Sequence, residues 1–154
     1  MTKFLLSVHV LAAILAIGPV AVAASMFPAH ARRVLASDGS RDLTSLRVLH
    51  RICRVYAVLG IVVPVFGFAT ASSLGVLGDA WLIVSIGLTA IAAGVLALLV
   101  LPRQEAVLAD LDAADAEPDP RTPARLAMHT GVFNLLWAVV TVLMIVRPGS
   151  TTGV

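Results

Sequence analysis

Apolar and polar positions along this chain fall into blocks rather than alternating. Four runs, Phe4 to Phe27, Val55 to Leu74, Trp81 to Leu101 and Met128 to Val146, contain no Asp, Glu, Lys or Arg. Each is close to the roughly 20 residues that a helix rising about 1.5 Å per residue needs to cross about 30 Å of hydrocarbon. In lipid, unpaired backbone N–H and C=O groups are too costly for anything but a helix or a closed barrel, and the period-two alternation of barrel strands is absent. The pattern therefore predicts an all-α protein: one transmembrane domain over residues 1–154, built as a four-transmembrane-helix up-and-down bundle, with the lipid bilayer as solvent. The first run follows Lys3 and ends near small residues, as a secretory signal does, but it exceeds the 7 to 15 apolar residues of such a signal.

Composition agrees. Of the residues, 59% are hydrophobic and 13% charged, where a soluble domain carries roughly a quarter charged; the mean hydropathy is +0.98. The charges lie in the connections. Residues 28–54 contain Arg32, Arg33, Arg41, Arg47, Arg51 and Arg54, and residues 102–127 contain Arg103, Arg121 and Arg125; only Lys3 and Arg147 lie at the opposite level. By the positive-inside rule both connections are cytoplasmic and both termini lie outside, which places the protein in the cell membrane as a multi-pass chain. The basic balance implies no nucleic-acid partner, because no basic stretch carries interleaved aromatics.

Local signals refine the elements. Pro19 and Pro64 are expected to bend or open the first and second helices. Val107, Leu108 and Leu111 among acidic residues predict an amphipathic extension of the third helix, broken at Glu117-Pro118-Asp119-Pro120. Between Val34 and Arg47 an interfacial helix opened by Asp42 or Thr44 is compatible with the pattern. Small residues at Ala12, Ala16, Ala23, Ala24, Gly60, Gly67, Gly87, Ala90 and Gly94 predict close helix approach. Trp81 reads as an interfacial anchor and Trp137 as packing.

Candidate chemistry is sparse. No nucleotide loop, nucleophile elbow or zinc-protease motif occurs, and the single cysteine, Cys53, excludes an internal disulfide and a thiolate cluster. No catalytic residue is assigned. Histidine remains. His50 and His129 begin the second and fourth helices at similar depth, and neutral imidazoles from facing helices can hold a haem; the alternative is that both sit in the interface against lipid phosphates or loops. His9, roughly 9 Å inside its span, needs a partner or ligand. Ser72, Ser73, Ser85 and Thr141 are candidate partners, and Met144 or a neighbouring chain could share a separate ligand. Arg51 and Arg54, one turn apart beside His50, could clamp a haem propionate or another acidic headgroup, or anchor the helix to lipid.

The segment Leu6-Ser7-Val8-His9-Val10-Leu11-Ala12-Ala13, with Gly18 nine residues after the histidine, resembles the opening helix of a broad group of small bacterial membrane proteins. That group includes the copper-resistance D type membrane domain, the haem-binding J-type protoporphyrinogen oxidase and four-helix families of unknown function. The starts Leu49-His50-Arg51-Ile52-Cys53-Arg54 and Met128-His129-Thr130 make the chain most similar to the last. Ala16 and Ile17 stand where the group often has a tryptophan before the glycine, Pro19 stands for a second glycine, and no methionine-rich or histidine-rich segment of a copper carrier is present. The resemblance thus implies a membrane protein for which haem b is a conceivable cofactor. Two functions follow as expectations: an accessory or structural subunit of a membrane complex, with a membrane-protein partner or a homo-oligomer, or a haem-binding protein using His50 and His129, or His9. An enzyme acting on a porphyrin or lipid headgroup ranks behind both.

Overall fold

The computed structural model describes residues 1–36, 42–113, 119 and 121–149. Among these the backbone is helical, with no strand: α1 (Thr2–Leu35), α2 (Thr44–Leu59), α3 (Val62–Leu74), α4 (Ala80–Gly94), a π-helical turn (Val95–Val100), α5 (Leu101–Asp112) and α6 (Thr122–Val146). Read continuously, they make four helices long and apolar enough to cross a membrane: Thr2–Leu35, Thr44–Leu74, Ala80–Asp112 and Thr122–Val146.

The helices run well past the apolar blocks. With 34 residues, α1 is about 50 Å long, against about 30 Å of hydrocarbon. Hydropathy marks where lipid could end, but backbone hydrogen bonding is indifferent to that boundary. Pro28 is therefore buried within α1 rather than opening a connection; of the segment Val34 to Arg47, the first two residues end α1, a helix opens at Thr44 as α2, and residues 37–41 lie outside the described residues. At that start Asp42 accepts the Thr44 N–H at 2.9 Å. This bond holds the Asp42 carboxyl below its usual range, with the Thr44 contact as the main cause and Arg47 adding to it.

The prolines act unequally. Pro64 cannot donate to the Gly60 carbonyl four residues back, and the second span breaks there: α2 ends at Leu59 and α3 begins at Val62. Tighter bonds, Ile61 N–H to the Val58 carbonyl and Val63 N–H to that of Gly60, carry the chain across. Pro19 leaves α1 continuous. Pro102 ends no helix. The π-helical turn directly before it re-sets the hydrogen-bond register, as such turns do where an i to i−4 ladder is interrupted, and α5 continues with Gln104, Val107 and Leu111 inward. The breaker Glu117-Pro118-Asp119-Pro120 lies outside the described residues except for Asp119, whose carboxylate accepts the Arg121 N–H.

The spans are ordered around the bundle as second, first, fourth, third: α1 packs on α2, α3 and α6, α6 on α4 and the π-helical turn, and α5 closes the ring against α2. The interior is unevenly distributed. One cluster around Phe27, Leu46, Cys53, Val100, Leu126 and Phe133 fills the arginine-rich end, and only Ala71, Trp81 and Leu82, with Val76 and Met144 against them, gather at the other. Ala16, Ala23 and Ala24 are buried as expected. Gly87 and Gly94 are not at close approaches, since a Cβ would meet open space at either. Trp81, at the start of the third span, is buried against its neighbours at 8% exposure. Its Nε1 donates to Asp79, and Arg147 lies over its ring at 5.7 Å.

Candidate functional site

The arginine-rich end carries most of the candidate chemistry, and α5 organises it. Gln104 is fully buried there. Its Nε2 lies 3.6 Å from Cys53 Sγ and its Oε1 3.1 Å from His50 Nδ1. With the amide N–H turned to sulfur, Oε1 is the acceptor, so His50 Nδ1–H donates and Nε2 is left as the free ring nitrogen. A buried amide between an imidazole and a thiol satisfies groups that would otherwise be costly in an apolar interior.

One residue earlier on α5, Arg103 abuts the ring of His129. That ring also donates from Nδ1 to the Arg125 carbonyl one turn back on α6, which leaves Nε2 as the nitrogen that accepts from Arg103. The two histidines singled out from the sequence are thus tied to adjacent residues of one helix, whose side chains leave it about 100° apart. For a haem held by both, Arg103 would have to leave His129. His50 alone, with Nδ1 held and Nε2 unengaged, has the arrangement that a ligating imidazole needs. Among the described residues no group of three or more His, Cys, Asp or Glu side chains gathers as a metal site.

Arg51 and Arg54 line an open groove with His50, Val55 and Val58, of about 520 Å³, within the roughly 300–1,000 Å³ of small-molecule sites. Both are exposed. Arg47, one turn earlier on α2, is instead paired with Asp112.

His9 lies apart. Its Nδ1 donates to the Val63 carbonyl at 2.9 Å, not to Ser72, Ser73, Ser85 or Thr141. Ser73, Ser85 and Thr141 bond carbonyls of their own helices, which satisfies a hydroxyl in lipid at no cost in helix packing. The approach depends on Gly67, where an added Cβ would stand 2.8 Å from His9 Cε1. His30 likewise turns back, to the Met26 carbonyl.

Two polar residues escaped the sequence reading, which weighed charged groups, histidines and a few hydroxyls but no side-chain amide. One is Gln104. The other is Asn134, whose Nδ2 donates to Ser25 Oγ on α1, while its Oδ1, the Thr130 hydroxyl and the Trp137 Nε1 are buried without partners among the described residues. An amide in or beside an apolar run was the available signal.

A family model described as a predicted integral membrane protein, DUF2269, matches residues 3–148. No curated protein and no solved structure matches the chain. The match agrees with the resemblance to a membrane family of unknown function and does not reach the copper-resistance D type domain or the J-type oxidase.

Proposed function

The chain belongs to the DUF2269 family of predicted integral membrane proteins, and from that premise we propose that it serves as a non-enzymatic accessory or structural subunit of a membrane complex. The observation that carries this reading is how its polar side chains are spent. His9 is bonded to the Val63 carbonyl, His50 to Gln104 and His129 to Arg103, each on another helix, in a way that joins helices rather than converging on a reacting atom. Large apolar residues such as Leu15, Phe68, Ile83, Leu135 and Ile145 meanwhile face outward, a surface suited to lipid or to helices of a partner. In this reading the protein sits in the cell membrane with its arginine-rich end in the cytoplasm. Affinity isolation in a mild detergent tests it: a partner at fixed stoichiometry, or a defined homo-oligomer, is the expected result, and a lone monodisperse monomer removes the proposal.

A second reading, haem binding, is favoured by one observation, the His50 ring held at Nδ1 beside a groove with two guanidinium groups. It also accords with the likeness of the first span to the group that contains the J-type oxidase. His50 Nε2 would be the axial ligand and Arg51 and Arg54 the propionate partners. A Soret band with a reduced-minus-oxidised alpha peak in protein from haem-replete cells is expected; colourless protein excludes it.

A further inference from the structure

We infer that the groove on α2 is a binding site for one anionic glycerophospholipid, its phosphate clamped by Arg51 and Arg54 and its acyl region laid along Val55 and Val58. The inference stands apart from the accessory role, because it concerns what the isolated chain binds.

Three observations support it. First, charge is uncompensated at this point: of the three arginines on α2, Arg47 is neutralised by Asp112, whereas no carboxylate is paired with Arg51 or Arg54 among the described residues. Guanidinium forks match phosphate oxygens, and a phosphate supplies the missing charge. Second, the polarity order is that of an amphiphile. Val55 and Val58 each follow an arginine by four residues, about 6 Å further along the axis toward the apolar run, so the cationic pair caps an apolar strip. Third, the groove, an open face lined by α2 alone, is anchored to the rest of the fold through one residue. His50, fixed to Gln104 on α5, forms its wall, and the volume of about 520 Å³ exceeds what a bare phosphate fills. A phospholipid is favoured over a porphyrin because the lining offers two cations and two valines, with no aromatic face and no second ligand opposite His50.

The test uses the purified full chain in dodecyl maltoside, titrated with dioleoylphosphatidylglycerol, dioleoylphosphatidylcholine or inorganic phosphate, with bound molecules counted by native mass spectrometry. One phosphatidylglycerol per chain is expected, held at least about tenfold more tightly than phosphatidylcholine. Arg51→Gln and Arg54→Gln should each weaken it about tenfold, the scale of one charge-assisted hydrogen bond. Arg32→Gln with Arg33→Gln, on α1, should leave it unchanged. Val55→Asn with Val58→Asn should weaken the lipid while sparing phosphate. If the glutamine variants fail to fold, Arg51→Lys with Arg54→Lys keeps the charge but loses the fork, and an intermediate loss is expected. Equal retention by the arginine variants, equal affinity for phosphatidylcholine, or competition by inorganic phosphate at the lipid's own concentration each overturns the inference. So does haem displacing the lipid with a Soret-absorbing adduct.

Discussion

Gln104 shows how much one uncharged side chain can decide in this protein. Fully enclosed, it is the acceptor for His50 and the donor toward Cys53. Gln104→Leu keeps the volume but leaves the His50 ring, at 9% exposure, without its acceptor. A loss of about 1–3 kcal/mol is expected, the cost of an unsatisfied buried polar group, read as earlier unfolding on titration with dodecyl sulfate. Adding His50→Phe should restore part of it, because both members of the pair are then apolar. Gly67 poses the same question through space rather than charge. Gly67→Ala sets a methyl 2.8 Å from His9 Cε1, so the ring must move off the Val63 carbonyl, at about 1–3 kcal/mol for an overpacked contact. In the background of His9→Ala the same substitution should cost little. Additive effects of the two changes would show that they do not meet.

At the scale of the element, what interrupts a helix matters more than what starts it. Pro64→Ala supplies the missing N–H to the Gly60 carbonyl. The second span should then become continuous, with slower amide exchange at Gly60 and Ile61; unchanged exchange would place the cause of the break elsewhere. At the start of α2, the Asp42 carboxylate holds the Thr44 N–H, and its folded pKa lies below the usual value. A carboxyl depressed in the folded state adds stability above its unfolded pKa, about 3.9, and loses that contribution as pH falls through the folded value. The Thr44 amide resonance should therefore titrate with a midpoint below about 3.9, and Asp42→Asn should abolish the titration while keeping the turn.

The whole molecule is held together differently from a soluble bundle. Lipid tails are as apolar as its side chains, so burial from water gives no force between spans, and close packing and interhelical hydrogen bonds carry the association. That accounts for a polar network at the well-packed arginine-rich end and for the few buried residues at the other. Orientation is expected to follow the arginines, whose end the positive-inside rule assigns to the cytoplasm. With Cys53 replaced by serine, a cysteine placed at Ser45 should resist an impermeant maleimide in intact cells, and one at Gly149 should react. The reverse pattern would invert the topology.

The chain's own order of residues determined the four helices, their antiparallel succession and their charge asymmetry, because hydrophobic length and arginine placement are one-dimensional quantities that lipid reads directly. It also exposed His9 as a polar group in need of a partner or ligand, and His50 and His129 as candidate ligands or interfacial groups. Which partners they took was decided by tertiary structure alone. The Val63 carbonyl carries no side-chain signature, Gln104 stood beyond the apolar run, and the pairing of His50 and His129 with separate residues of α5 follows from helix rotation, which span length does not encode. The π-helical turn before Pro102 is of the same kind: a proline announces a lost hydrogen bond, and the packing around it decides whether the helix stops, bends or winds on.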